Sequence, residues 1–290
     1  MISRVNKIGD YLELSKIKIM IPVSLTGFVG YFIYKPHLSP ELLFTTIGIL
    51  LMAISASVLN QVQEVELDRK MARTRNRPLP ATRMALKNAF IFFLINLIAG
   101  FVIIYIAGNL KAAFIGLLTV VWYNGVYTNL KRITSFAVVP GAITGALPPL
   151  IGWVAAGGGL WDKQIIFIEF LFFTGQIPHF WLLILRYGEE YSNAGILSLT
   201  TLFNRIQVNR LTFTWVLSSV MAALFLCFFE IIQNPILIGI LVITSIFIVW
   251  RFLDLLNPKI EIIKYRKYSI VFDVYFLLIL LLLISERLVN

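Results

Sequence analysis

The sequence predicts an all-α, polytopic membrane protein with nine transmembrane helices, and composition is the first of three observations that lead to this class. The 290 residues are 59% hydrophobic and only 14% charged, with a mean hydropathy of +0.85. Soluble domains are roughly 45–50% apolar and about 25% charged. A single soluble core of this size does not bury so much apolar surface. Composition therefore excludes an ordinary soluble domain.

Nine apolar runs, each close to the roughly 20 residues that span a bilayer, are the second observation. Gly108-Asn109 predicts a tight turn between the third and fourth runs, and Gln233-Asn234-Pro235 separates the seventh from the eighth. We therefore expect one transmembrane domain over residues 1–290. The predicted spans are 17–34, 41–60, 85–107, 110–127, 136–157, 164–187, 210–232, 235–253 and 270–288.

The third observation is an uneven distribution of basic residues. If the N-terminus and the longer connections (61–84, 128–135, 188–209 and 254–269) share one side, that side holds 21 of the 25 Lys and Arg residues once the basic residues at the adjoining helix ends are included. The positive-inside rule then predicts a cytoplasmic N-terminus and an outside C-terminus, and it explains the net charge of +10 without a nucleic-acid partner. The first sixteen residues show no cleavable signal pattern. They are also too short for an organelle transit peptide, so we expect a bacterial inner membrane.

The first polar connection contains candidate metal ligands. If the second helix continues past Asn60, the side chains of Asn60, Glu64 and Asp68 stack on one face, because residues four apart differ by about 40°. Glu66 falls on the opposite side. One amide oxygen and two carboxylates, with no Cys or His nearby, suit a hard cation such as Mg²⁺, which commonly also binds substrate phosphates. The alternative is a solvated loop whose acids balance its bases.

Two arginines extend this pattern. Arg73 and Arg77 follow at the same spacing of four, before Pro78 and Pro80 end the helix. Guanidinium groups bind phosphate oxygens through paired hydrogen bonds. We interpret the segment as a diphosphate site, in which Asp68, Arg73 and Arg77 are the candidate catalytic residues.

Further lysines and arginines lie on the same predicted side. Lys131 and Arg132, in the next inward connection, are either topology anchors or additional diphosphate-binding residues. Lys16 and Lys18, at the mouth of the first span, have the same two interpretations.

A second acidic site is predicted after the sixth span. Glu189 and Glu190 lie on the same predicted side as Glu64 and Asp68, and two acidic clusters there can bind two Mg²⁺ ions with a diphosphate between them. Glu190 is the preferred metal ligand of the pair. The alternative is that both are solvated loop charges.

His179 is the candidate acceptor-binding residue. It lies eight residues before Tyr187, roughly 12 Å into the bilayer. A polar ring at this depth usually faces the bundle interior or a cavity, where it would line a substrate pocket. It can equally form an interhelical hydrogen bond.

At these residues the chain resembles the UbiA-type intramembrane prenyltransferase superfamily and, within it, the branch of protohaem IX farnesyltransferases (haem O synthases). The superfamily carries Asn-x3-Asp-x3-Asp after its second span and a second acidic motif after its sixth. Glu64 and Glu190 stand where that pattern most often has Asp. The narrower resemblance rests on the stretches Asp68–Leu79, Leu130–Arg132, Gly145–Trp153 and Pro178–Phe180.

The resemblance implies nine helices around a central cavity and a specific reaction. Farnesyl diphosphate would bind through Mg²⁺, Arg73 and Arg77 would stabilise the departing diphosphate, and a vinyl group of haem b would attack the allylic cation to give haem O. His179 would face the porphyrin, and a haem A synthase or a terminal oxidase assembly would be a partner. The implied magnesium ligands are Asn60, Glu64, Asp68 and Glu190.

Two alternatives remain. A prenyltransferase of the same superfamily that acts on an aromatic or quinone precursor would keep the same metal sites. A non-enzymatic transporter would have charges near mid-span and broken helices placed symmetrically in two halves. The strongest charges of this sequence lie at one membrane face, which favours an enzyme at the interface.

Overall fold

The protein forms a bundle of helices, seen here in a computed structural model that describes residues 7–193, 195, 197–258 and 262–289. The described ranges contain helices and loops and no β-strand. Nine helical segments in them are long and apolar enough to cross a membrane, which confirms the predicted class and number of spans. These segments are Ile17–Tyr34, Pro40–Gln63, Leu86–Ala107, Leu110–Leu130, Val138–Ala155, Lys163–Gly188, Arg205–Phe228, Pro235–Leu256 and Lys264–Val289.

Short helices accompany the long ones at the ends of the spans. A π-helix covers Trp122–Tyr127 inside the fourth span, and a 3₁₀ turn covers Leu253–Leu256. The α-helices in chain order are α1 Lys7–Ser15, α2 Ile17–Tyr34, α3 Pro40–Gln63, α4 Val65–Lys70, α5 Leu86–Ala107, α6 Leu110–Val121, α7 Thr128–Leu130, α8 Val138–Ala155, α9 Lys163–Asn193, α10 Leu199–Leu202, α11 Arg205–Phe228, α12 Pro235–Phe252 and α13 Ile262–Val289.

The turn predicted at Gly108-Asn109 is confirmed, and Asn109 explains why α6 begins there. Its side-chain oxygen accepts a hydrogen bond from the Ala112 amide at 3.0 Å, and its side-chain nitrogen donates to the Val154 carbonyl at 2.6 Å. An asparagine at this position satisfies a backbone donor that the helix start leaves unpaired. The same residue therefore starts α6 and attaches it to the end of α8.

The seventh and ninth spans differ from their predicted bounds. The seventh runs from Arg205 to Phe228 rather than over 210–232, because Asn204 and Gln207 form a reciprocal capping box at its start. The ninth begins at Lys264 rather than at 270. Lys and Arg are good helix formers, so this helix extends past the apolar run that alone was used to locate it.

The order of packing closes the bundle. The second span α3 packs against α5, while α2 packs against both α3 and α8. The long helix α9 contacts α8 and α11, and α13 contacts α9 as well as α2. The last span therefore lies beside the first, which brings both ends of the membrane domain to one wall.

The contact between α2 and α8 is made by backbone rather than side chains. A Cβ atom added at Gly152 would overlap the carbonyl oxygen of Gly27, and one added at Gly30 would overlap the carbonyl of Pro149. Small residues permit such close approach, which is the usual basis of helix association inside a bilayer. Glycine is therefore required at these crossing points for steric reasons.

We predict that Gly152→Val destabilises the folded protein by about 1–3 kcal/mol or more, because the added atoms force two backbones apart. The thermal unfolding midpoint of the detergent-purified chain measures the effect. The matched control is Gly239→Ala in α12, where an added Cβ meets nothing within 4 Å. Equal midpoints for Gly152→Val and the parent would contradict the close packing.

Candidate active site

The predicted continuous helix from Asn60 to Asp68 is wrong, because the helix breaks at Glu64. The α3 helix ends at Gln63, Glu64 has φ −115° and ψ 12°, and α4 begins at the next residue. Polar contacts to the fourth span hold this break, including a hydrogen bond from the Gln63 side chain to the Asn124 carbonyl at 3.2 Å. The Asp68 amide still donates to the Glu64 carbonyl at 2.8 Å. One helical turn is therefore preserved across the break.

Asn60, Glu64 and Asp68 all remain buried, with exposed fractions of 4%, 8% and 2%. Glu64 Oε2 accepts hydrogen bonds from Lys131 Nζ at 2.6 Å and from Asn60 Nδ2 at 3.0 Å. The same Asn60 nitrogen donates to the Thr128 hydroxyl at 3.1 Å. The amide nitrogen of Asn60, not its oxygen, therefore faces Glu64, and its role as an oxygen ligand stays a prediction.

Asp68 is compensated by an arginine that follows it in the chain. Its Oδ2 accepts a hydrogen bond from Arg77 Nη1 at 2.8 Å, and its carbonyl accepts one from the Thr74 hydroxyl at 2.9 Å. The segment after α4 consists of turns, so Arg73 and Arg77 do not continue a helix as predicted. The turns allow Arg77 to fold back onto the carboxylate.

Lys16 joins this group from the junction between α1 and α2. It has φ 47°, a left-handed conformation that separates the two helices. Burial and, to a smaller extent, the positive charge of Arg77 lower the pKa of Lys16 to about 7, although the negative charge of Asp68 opposes the shift. Lys18, by contrast, is exposed. The structure thus separates two lysines that the sequence treated alike.

Together, these two acids and three bases leave an excess of one positive charge when Lys16 is protonated. Glu64 is paired with Lys131 and Asp68 with Arg77, and Lys16 is the third cation that interacts electrostatically with both carboxylates. A buried cluster of this sign favours an anionic ligand.

The other predicted basic residues lie at the rim. The Arg73 guanidinium lies over the Tyr187 ring at 5.4 Å from the centroid, and Arg186 covers the same ring at 4.6 Å. Exposed Arg132 donates to the Gln63 carbonyl at 2.9 Å, so it binds the last turn of α3. The diphosphate-binding roles of Arg73 and Arg132 stay predictions.

Glu190 lies on α9, which continues past the membrane to Asn193. The contact of Arg73 with Tyr187 is one turn before Glu190, so both acidic segments lie at the same end of the bundle. The Glu189 side chain lies outside the described residues. Across the described ranges, no group of three or more His, Cys, Asp or Glu residues forms a metal cluster.

Two buried carboxylate oxygens nevertheless fit a hard cation. Glu64 Oε1 and Glu190 Oε2 are buried and make no hydrogen bond among the described residues. Unbonded carboxylate oxygens are the atoms that Mg²⁺ binds in proteins. The donor set therefore fits the predicted metal, and the assignment of the ligands stays a prediction.

His179 is paired with an acid that the sequence analysis did not single out. Its Nδ1 lies 2.8 Å from Oδ1 of Asp273 on α13. The available signal was an acid inside the ninth apolar run. The interhelical bond considered for His179 thus exists, and its partner is a carboxylate.

The sequence comparisons give one family. The model of the UbiA prenyltransferase family matches residues 23–272. A protoheme IX farnesyltransferase of Oleidesulfovibrio alaskensis is 34% identical over 184 residues, which cover 63% of this chain and 65% of the relative, just under two thirds of its length. A Geobacter sulfurreducens protein of the same name is 43% identical over 149 residues, which cover 51% of this chain and 55% of that protein.

Solved structures share the fold. A structure of digeranylgeranylglyceryl phosphate synthase has a TM-score of 0.79 at 19% identity and covers 98% of this chain and 99% of that one. A UbiA homologue from Archaeoglobus fulgidus bound to DMAPP and Mg²⁺ has a TM-score of 0.66 at 17% identity and covers 93% and 99% of the two chains. These matches confirm the all-helical architecture.

The lowered pKa of Lys16 predicts a pH-dependent stability. Between pH 7 and its ordinary value of 10.5, the unfolded chain carries a proton at Lys16 that the folded chain does not. The free energy of unfolding therefore rises with pH through this window and is lowest below pH 7. We expect Lys16→Met to be more stable than the parent below pH 7 and to lose this slope, as measured by unfolding midpoints. Lys18→Met is the control, and an unchanged slope in Lys16→Met would contradict the burial of this charge.

Proposed function

This chain belongs to the UbiA prenyltransferase family, and on that basis we propose that it transfers a farnesyl group from farnesyl diphosphate to a vinyl group of haem b, giving haem O. Curated relatives that are 34% and 43% identical over the aligned residues carry the name protoheme IX farnesyltransferase. We propose that the reaction depends on magnesium, since a UbiA homologue with the same fold was solved with DMAPP and Mg²⁺.

The observation that carries the proposal is the buried charge cluster where α3 ends. Glu64 and Asp68 are acids that metal ions and protonated cations both bind, and Lys131, Arg77 and Lys16 are donors for phosphate oxygens. Such a cluster beside an apolar bundle suits a ligand with a charged head and a hydrocarbon tail.

Binding of the diphosphate uses both signs of charge. Magnesium, when bound, neutralises diphosphate charge and makes it a better leaving group. Arg77 and Lys131 move their hydrogen bonds from carboxylates to phosphate oxygens, which frees carboxylate oxygens for the metal. The proposed magnesium ligands are Asn60, Glu64, Asp68 and Glu190.

Transfer begins when the bond between farnesyl C1 and the diphosphate oxygen breaks. Arg73 and Arg77 stabilise the negative charge that develops on the leaving group, which is an electrostatic contribution of the kind that dominates many enzymatic reactions. The apolar helices exclude water from the allylic cation. The haem vinyl carbon then forms the new C–C bond, and water adds to the resulting cation with loss of a proton, completing the hydroxyethylfarnesyl group.

The proposed setting is the bacterial inner membrane, with the diphosphate site on the cytoplasmic face. Farnesylation makes haem more apolar, so the product stays in the lipid bilayer. A haem A synthase or a terminal oxidase assembly is the proposed recipient.

An aromatic or quinone precursor is the competing acceptor, because the metal and diphosphate residues would serve it equally well. A transporter is less consistent with a charge cluster concentrated at one end of the spans. The acceptor is therefore the part of the proposal that needs direct measurement.

We predict that Asp68→Asn lowers farnesyl transfer by roughly 10²-fold or more, because it removes a carboxylate charge that the metal and Arg77 share. The assay is haem O formation in membranes with matched protein levels. The control is Glu66→Gln, since Glu66 is exposed and its partner among the described residues is Arg69, one turn along α4. Full activity of Asp68→Asn would refute the assigned role.

We also predict that membranes containing the protein convert haem b and farnesyl diphosphate to haem O when Mg²⁺ is present, and that EDTA abolishes the conversion. Mass spectrometry of extracted haems detects the added hydroxyethylfarnesyl group. Prenylation of a hydroxybenzoate with haem b unchanged would instead assign the chain to the aromatic acceptor class.

A further inference from the structure

An imidazole and a carboxylate form a hydrogen-bonded pair deep within two spans. Nδ1 of His179 lies 2.8 Å from Oδ1 of Asp273, and their side chains are 37% and 52% exposed. Each lies nine residues from the same end of its span, which is roughly 14 Å along the helix axis. The two groups are therefore at one depth and both border open space.

A series of contacts joins this pair to the charge cluster. The Lys131 Nζ that binds Glu64 lies 5.5 Å from the centroid of the Tyr127 ring. Tyr127 and Phe180 have ring centroids 6.4 Å apart, and Phe180 lies 5.8 Å from the His179 ring. A series of side-chain contacts therefore connects His179 to the proposed diphosphate site, and His179 lies farther from that end of the bundle.

The carboxylate determines which imidazole nitrogen carries the proton. An ionised carboxylate only accepts hydrogen bonds, so Nδ1 must donate to Asp273. Among the described residues, Nε2 has no hydrogen-bond partner. Its lone pair is thus directed away from Asp273 and is available to a ligand. Histidines that bind metals usually donate their other ring N–H to a carboxylate or carbonyl in this way.

The free-energy cost of placing the Asp273 carboxylate within a membrane span supports a role beyond packing. An acid inside a span is expensive unless it is paired, and such acids mark functional sites more often than structural ones. Asp273 is half exposed, and Nδ1 of His179 is its hydrogen-bond partner among the described residues. A hydrogen bond that served only to hold α9 against α13 would not require a carboxylate that remains half exposed this far into the span.

We propose that Asp273 is a positioning residue that holds His179 as the axial ligand of the iron in a metalloporphyrin, with Nε2 bound to the metal. Histidine is a common axial ligand of haem iron, and hydrogen bonding to its second nitrogen tunes that bond. The inference rests on the proposed function in one respect: the metalloporphyrin is the acceptor substrate. It also explains selectivity, because an aromatic acid offers no iron for Nε2 to bind.

The test is haem b binding to the purified full-length chain in detergent, followed by absorption titration and by resonance Raman spectroscopy of the ferrous complex. We expect an iron–histidine stretching band in the parent. His179→Ala should remove the band. Asp273→Asn should lower its frequency and weaken haem binding about 10–100-fold, and Asp273→Glu should restore both in large part.

The matched control is Glu169→Gln, which neutralises another acid within the α9 span and should leave the band unchanged. Elution profile and unfolding midpoint identify variants that fail to fold, and Asp273→Glu keeps the test decisive if Asp273→Asn is one of them. Metal-free protoporphyrin IX should bind more weakly than haem b and show no dependence on His179. A band that persists in His179→Ala, or that Asp273→Asn does not shift, would overturn the inference.

Transferase activity on the same preparations separates this inference from the proposed function. Haem O formation without an iron–histidine band would refute axial ligation and leave farnesyl transfer standing. An iron–histidine band without haem O formation would support the dyad and refute the proposed reaction.

Discussion

Carboxylates buried where a helix leaves the membrane remain ionised only if cations are held against them. Glu64 meets Lys131, Asp68 meets Arg77, and Lys16 adds a third positive charge near both. Removing one member of a buried ion pair destabilises the protein, because the desolvation cost of the remaining charge is no longer offset by an attractive interaction. The five residues come from four separate segments, so the cluster exists only when the spans that carry those segments are packed together. Charge compensation at this end thus links the site to the whole fold.

Irregular backbone is concentrated around that cluster. Lys16 has a left-handed conformation, α3 breaks at Glu64, and a π-helix at Trp122–Tyr127 precedes Thr128. The Thr128 hydroxyl donates to the Tyr123 carbonyl inside the π-helix and accepts from Asn60. Such departures are typical of functional sites, where a local distortion directs a side chain that a regular helix would direct elsewhere.

The sequence predicted what depends on local pattern. Span number and the acids after the second span follow from hydrophobic length and helical spacing, because both are properties of one continuous segment. The difference between Lys16 and Lys18 and the importance of Asp273 could not be predicted, since Lys16 and Asp273 each depend on a partner more than 40 residues away in the chain. The break at Glu64 was missed for the same reason: the fourth span provides the contacts that hold it. The helix ends at Arg205 and Lys264 were missed because an apolar run marks the part of a helix that lies within the bilayer, not the residues at which the helix begins and ends.

The glycine-lined contact between α2 and α8 has a mechanical consequence. Ordinary helix interfaces contain side chains that change rotamer and so absorb small displacements, whereas here one main chain rests directly on another. These two helices therefore move as one rigid body. Any widening of the bundle that admits a bulky planar molecule must therefore occur at contacts other than the one between α2 and α8.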